Sequence, residues 1–175
     1  MAVEVTTAAL ADAGELAALA AATFPLACPP SADPGDIAAF VTENLSAERF
    51  DGYLRDADRR VLTARHDGRI IGYAMLIRGS GPDTGPAGAD DQVELSKMYV
   101  LPEHHGAGAA AALMYAGLEW ASEIKAHAVW LGVNRTNERA QRFYRKQGFA
   151  ITSTRTFQVG SSLENDFVMV RRLSG

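Results

Sequence analysis

The sequence predicts a mixed α/β fold, with one central sheet and helices on both of its faces. Three observations carry the prediction. Segments of period 2 interleave with segments of period 3.6 along the chain. A turn of small residues, His105-Gly106-Ala107-Gly108-Ala109-Ala110-Ala111, joins an apolar strand pattern to a long amphipathic helix pattern. After that helix comes a short continuous apolar run, residues 128–133, of the kind a buried strand carries. No segment repeats.

Taken in order, residues 3–7 alternate as a short strand. Residues 11–24 are rich in Ala and Leu and predict a helix that stops before Pro25, since proline removes a backbone donor and clashes with the preceding turn. Residues 26–34 read as loop, with Cys28-Pro29-Pro30 blocking regular structure. Residues 34–45 and 48–56 predict two more helices, with Ser46 placed to cap the second. Strands over 60–65 and 70–77 are joined by His66-Asp67-Gly68-Arg69, whose Asp-Gly pair is a hairpin signal. Residues 79–91 are rich in Gly, Pro and Asp and predict the one long loop, a hairpin connection rather than a lid. Residues 93–100 predict a strand stopped by Pro102. Beyond the glycines, Leu113, Gly117, Trp120 and Ile124 fall on one helical stripe. Residues 137–147 predict a helix closed by Gly148. Two strands, ending at Phe157 and spanning 164–173, finish the chain.

Composition narrows the function. With 175 residues, the chain has the mass for one domain over 1–175 with a proper core. Its net charge of −4 argues against a nucleic-acid binder that relies on a basic face. Cys28 is the single cysteine, which excludes an intrachain disulfide and a cysteine-based metal cluster. No basic leader and no run of about 20 apolar residues is seen, so a cytoplasmic protein without membrane contact is expected.

The glycine turn carries the first chemistry. A strand that runs through small residues into a helix leaves backbone N–H groups uncovered, with the positive end of the helix dipole behind them. Gly106 and Gly108 permit positive φ and close approach, so a phosphate or pyrophosphate of a nucleotide-type cofactor is the implied ligand. Gly106-x-Gly108-x-x-Ala111 also satisfies a loose dinucleotide fingerprint, but its context does not. The next strand ends Leu131-Gly132-Val133-Asn134-Arg135 without the carboxylate that would bind a ribose, and the motif comes late in the chain.

Val93-Glu94-Leu95-Ser96-Lys97-Met98-Tyr99-Val100-Leu101-Pro102 with the turn that follows resembles motif A of the GNAT acetyltransferases. The stretch from Leu131 to Phe149 is similar to motif B, with Asn137, Ala140, Tyr144, Gly148 and Phe149 at the family's spacing. The family's usual Gln or Arg at the start of the turn is here His105, which makes any charge it contributes pH-dependent. Further segments, among them Ala22-Thr23-Phe24, Trp130-Leu131-Gly132-Val133 and Asp166-Phe167-Val168-Met169, look like the PaiA-type polyamine acetyltransferases.

The resemblance implies a mostly antiparallel sheet of about seven strands, splayed into a V-shaped cofactor cleft, with acetyl-CoA as co-substrate and no metal. It implies that Met98, Tyr99 and Val100 offer backbone donors, and that His105, Gly106, Ala107, Gly108, Ala109, Ala110 and Ala111 cradle the pyrophosphate. Asn137 and Tyr144 would complete the cofactor site. The implied reaction is direct attack of a cationic small-molecule amine, spermidine or spermine first, on the thioester in a ternary complex. The alternatives are a protein N-terminus, a lysine or another small amine as acceptor, or a non-catalytic acyl-CoA sensor. A homodimer is a frequent family habit.

Two side chains stand out for proton transfer. An alkylammonium of pKa ~10.4 is only about 0.04% neutral at pH 7, a handicap of about 4.6 kcal/mol, so a proton acceptor helps. Glu94 is that candidate; strand alternation aims it the way of Ser96 and Met98 unless a bulge intervenes. The resemblance implies Tyr144 as the donor to the departing thiolate, and helical spacing lets Phe143 turn to the core and Tyr144 to the cleft. Asp33, Asp36, Glu43, Glu48 and Asp51 are expected on the segments that roof the acceptor cleft. His104-His105 lacks further ligands for a metal, and Cys28, Trp120 and Trp130 read as structural.

Overall fold

The computed structural model describes residues 3–79, 92–159 and 162–173. Along them run β1 (Glu4–Thr7), α1 (Ala13–Ala27), α2 (Pro34–Asn44), α3 (Ala47–Arg55), β2 (Arg59–His66), β3 (Arg69–Arg78) and β4 (Gln92–Val100). Then come α4 (Ala109–Glu123), β5 (Ala128–Asn134), α5 (Glu138–Lys146), β6 (Ala150–Val159) and β7 (Ser162–Arg172). The strands form one sheet in the order β1-β2-β3-β4-β5-β7-β6, and every pairing is antiparallel except β4 with β5.

Local chemistry explains most element ends. Ser46 accepts from the Arg49 N–H at 3.1 Å and starts α3. Asp33 accepts from the N–H groups of Gly35 and Asp36 and starts α2, with Pro34 in its first turn. Asp67 and Gly68 both take positive φ, 51° and 77°, as a tight hairpin turn requires. One expectation fails here: α1 runs through Pro25 to Ala27. Pro25 lies in the last turn, so it forfeits one ladder bond, and the Cys28 N–H closes the end on the Pro25 carbonyl. Residues 79–91, Gly79 aside, lie outside the described residues.

The core forms on both faces of the sheet. On one side Phe50 of α3 meets Tyr73 of β3 edge to face at 5.6 Å, and Phe24 of α1 meets Tyr99 of β4 at 6.4 Å. On the other, α4 lies so close that a Cβ on Gly117 would come within 3.1 Å of Leu76. Leu10–Ala27 is long and apolar enough to cross a membrane by length and composition alone. Here its Leu16, Leu19, Ala20 and Phe24 are buried in the core.

One irregularity decides the shape. Met75 pairs with Lys97 and Leu76 with Leu95, so Ser96 is an extra residue, a bulge in β4. The parallel pairing of β4 with β5 covers only Gln92↔Ala128, Val93↔Val129 and Glu94↔Trp130, and stops where the bulge begins. Beyond it β4 stays with β3, while β5 stays with β7 as far as Asn134↔Asp166. The sheet therefore opens into a V between β4 and β5.

Candidate active site

The head of α4 presents uncapped backbone donors. Gly106 and Gly108 take φ of 85° and 86°, and a Cβ at either would meet nothing within 4 Å. Conformation, not space, calls for glycine there. Gly108 is the N-cap and offers no side chain, so the first N–H groups of α4, from Ala109, Ala110 and Ala111, lack intrahelical acceptors and are screened only by methyl groups. His105 donates from Nε2 to the Val100 carbonyl at 2.9 Å and ties the turn to the strand end.

The open arm of β4 supplies more donors. The Leu101 N–H bonds to the Ile71 carbonyl at 2.8 Å, which puts alternate residues of β4 on the β3 ladder. By this alternation the N–H of Tyr99 faces β3, while those of Met98 and Val100 face the gap toward β5. Tyr99 differs from expectation: its backbone belongs to the ladder, and its phenol is what it brings to the cleft.

Two cavities meet at the V. One, about 630 Å³, runs from the glycine turn along Met98, Tyr99 and Val100 to Asn137, Phe143 and Tyr144. The other, about 240 Å³, lies under the C-terminal end of α1 and reaches Glu94, Lys97, Arg155 and Asp166. Ala27, Met98, Tyr99, Asn137, Ala140 and Tyr144 line both. Burial pushes the Tyr144 phenol up to about 12. Burial first, then the neighbouring Tyr144, Cys28 and Asp166, pushes Tyr99 beyond the ordinary phenol range.

The helix that carries Tyr144 is well anchored. Asn137 caps α5 by accepting from the Ala140 N–H at 3.1 Å. Gln141, buried, donates from Nε2 to the carbonyls of Asn134 and Arg135 at 3.1 and 3.0 Å, which fixes the helix to the end of β5. Phe143 lines the larger cavity beside Tyr144 instead of turning wholly to the core.

The smaller cavity is charged. The bulge sets Glu94, whose strand partner is Ile77, on the sheet face of Lys97 and Tyr99 rather than that of Met98. Burial pulls the Lys97 ammonium below the usual lysine range, Glu94 opposes this, and Arg155 and Arg59 reinforce it. Arg155 lies over the Trp130 ring at 5.2 Å and pairs with Asp166, Nε to Oδ2 3.8 Å. Cys28, expected to be structural only, also lines this cavity. None of Asp33, Asp36, Glu43, Glu48 and Asp51 lines either cavity; Asp33 caps α2 and Asp51 pairs with Arg55 at 2.8 Å. Among the described residues no group of three His, Cys, Asp or Glu side chains is placed to hold a metal.

A helix head with unpaired N–H groups, a splayed pair of strands and a tyrosine at the junction of two cavities come together at the V. The Acetyltransferase (GNAT) family matches residues 20–149 of this chain. The chain belongs to the GNAT acetyltransferase family. As a GNAT enzyme it is an N-acetyltransferase that uses acetyl-CoA. It is similar to an uncharacterized N-acetyltransferase of Mycobacterium tuberculosis (strain H37Rv), 60% identical over 94% of this chain and 99% of that one. In fold it is similar to the crystal structure of a PaiA N-acetyltransferase from Thermoplasma acidophilum in complex with coenzyme A. The TM-score is 0.81, with 20% identity over 99% of this chain and 100% of that one. A ribosomal-protein-alanine N-acetyltransferase from Brucella melitensis, at TM-score 0.67 and 24% identity over 97% and 99%, shares the fold too.

Within this GNAT fold, Met98, Tyr99, Val100, His105, Gly106, Gly108, Ala109, Ala110, Ala111, Asn137 and Tyr144 all line the larger cavity. Ala107 does not; its N–H bonds to the His104 carbonyl at 3.2 Å, inside the turn. Glu94 lines the smaller cavity alone. The sequence reading missed Thr23, His104, Arg139 and Phe143 on the first cavity, and Lys97, Arg155 and Asp166 on the second. Lys97 lies inside the strand motif, so its alternation with Tyr99 was available as a signal. Arg155 and Asp166 have no local pattern and become neighbours only through the β6–β7 register.

Proposed function

We propose that the protein acetylates a primary amine by direct attack on acetyl-CoA, with both substrates held at once. The observation that carries this is the junction of the two cavities at Tyr144. A cofactor arm laid along the larger cavity and an amine entering through the smaller one meet there, which makes an encounter of two molecules a step within one complex. The residues of the larger cavity fit acetyl-CoA: the N–H groups of Ala109 to Ala111 for the pyrophosphate, and those of Met98 and Val100 for the pantetheine arm and the thioester oxygen. Bound there, acetyl-CoA supplies the activated acetyl group.

The chain's own groups then manage protons. Glu94 stands in the acceptor cavity to hold the incoming ammonium and to take its proton, directly or through water. Tyr144, at about 12, remains protonated at neutral pH and donates to the leaving sulfur. A thiolate released into the same buried cleft is itself more basic than in water, which narrows the gap between the two. Two carboxylates in the smaller cavity, Glu94 and Asp166, favour an ammonium-bearing acceptor, spermidine and spermine among them as the PaiA-type likeness suggests. Lys97 and Arg155 beside them weigh against a polycation.

The test is release of free thiol from acetyl-CoA against spermine, spermidine, putrescine, a lysine peptide and an N-terminal peptide, with light scattering for the homodimer of the family habit. Turnover with any of these amines supports the reading. Binding of acetyl-CoA with silence on every primary amine would turn it toward the sensor.

A further inference from the structure

The acceptor cavity holds two cations that acetyl transfer does not use. Arg155 reaches it from β6, a strand outside both sequence motifs, and is held in place rather than solvated. Its guanidinium lies over Trp130, pairs with Asp166, and crosses β5 at Gly132, where any Cβ would collide with it. Lys97 is partly buried beside Glu94, with its ammonium 5.9 Å from the centre of the Phe40 ring. Burial and the neighbouring Arg155 and Arg59 disfavour its charge. An anionic ligand would offset that cost, whereas a polycation would add to it.

We propose that the amine acceptor is a small amino acid, whose carboxylate sits on Lys97 and Arg155 while Glu94 faces its amine. This rests on the acetyl-transfer reading and names the acceptor class for the same site. The cavity carries parts for both ends of such a molecule: Lys97 and Arg155 for the carboxylate, with Asp166 already paired to Arg155, Glu94 for the ammonium, and Tyr144, which also lines the larger cavity, where the acetyl group arrives. A guanidinium held by stacking presents a fixed fork, which suits a planar carboxylate. A polyamine carries no group for these cations, and a peptide N-terminus offers them only a neutral amide.

The experiment compares acceptors that differ only in that carboxylate: a set of amino acids against their amides and decarboxylated amines, with spermidine alongside, by thiol release. The acids should exceed the amides at least tenfold in kcat/KM. The amide has the less basic amine, so intrinsic reactivity alone favours the amide and cannot imitate the result. Lys97→Met should bring the acid-to-amide ratio close to one while the acetyl-CoA Kd holds, Lys97→Arg should keep the preference, and Arg155→Gln should reduce it. If amides or spermidine are the better substrates of the unmodified enzyme, the carboxylate assignment fails and acetyl transfer stands. If no amine is acetylated, both fail. A preference for acids that survives Lys97→Met would also overturn the assignment.

Discussion

Burial raises both the Tyr144 and the Tyr73 phenol, yet substitution should affect the two oppositely. Tyr144 lines both cavities, so Tyr144→Phe should lower kcat about 100-fold, the low end for a lost general acid, with the acetyl-CoA Kd unchanged in calorimetry. Because its phenol sits at about 12, its acid form persists through the working range. The pH profile of kcat should therefore keep its shape below pH 10 in the variant. Tyr73 is fully buried, and its hydroxyl has no hydrogen-bond partner among the described residues. Tyr73→Phe should leave stability unchanged or raise it by up to about 1 kcal/mol in urea titrations, since a desolvated hydroxyl is lost without a broken bond. The sign with pH follows from the raised phenols. Above the unfolded pKa of ~10 the unfolded chain sheds protons that Tyr73, Tyr99 and Tyr144 retain in the fold, so stability should fall as pH climbs from 10 toward 12. Tyr73→Phe should flatten that fall. Tyr144 and Asn137 were legible because motif B fixes them by spacing. Arg155 and Asp166 were not, because a lone charge in a strand has no spacing and their site exists only once distant strands pair; Lys97 was legible only as far as its alternation with Tyr99.

Two glycines in different elements are required for opposite reasons, and substitution separates them. Gly108→Ala forces a Cβ into φ of 86° at the head of α4, which should cost about 1–2 kcal/mol of stability and weaken acetyl-CoA binding roughly tenfold as the turn relaxes. Gly132→Ala meets ordinary strand geometry but strikes Arg155, with Cζ at 2.8 Å and Nε at 2.9 Å. The guanidinium is the movable end of its side chain, so stability should stay within about 1 kcal/mol while the acceptor KM rises and the acetyl-CoA Kd holds. Equal losses of both substrates would place Arg155 outside the acceptor site. Elements were read from sequence where caps and turns announce them: Ser46, Asp67-Gly68 and Gly148 all stand where expected. Two features escaped. α1 passes Pro25 because a proline near a helix end forfeits a single ladder bond. The place of the bulge escaped, though a bulge in this strand was allowed for: the adjacent polar residues Ser96 and Lys97 interrupt the alternation without showing which is the extra one, and the bulge reverses the face that Glu94 shares.

At the scale of the whole molecule the sheet is two sheets joined at a hinge of three residue pairs. β1 to β4 form one arm and β5 to β7 the other, and only Gln92 to Glu94 pair across. The V was expected from family likeness and not from periodicity, because the splay depends on where a parallel ladder stops. A ligand laid in the gap takes the place of the missing ladder, so binding and folding are coupled. Acetyl-CoA at 100 times its Kd should stabilise the fold by about 2.7 kcal/mol and raise Tm by roughly 5–11 °C. The same coupling has a residue-level signature in amide hydrogen exchange. The Tyr99 N–H lies on the β3 ladder and should already exchange slowly, whereas those of Met98 and Val100 face the gap and should slow markedly only when acetyl-CoA is bound. If Tyr99 were protected by the ligand as strongly as its neighbours, the ladder would be breathing as a unit. The cofactor would then be closing an arm of the sheet, not filling a gap in it.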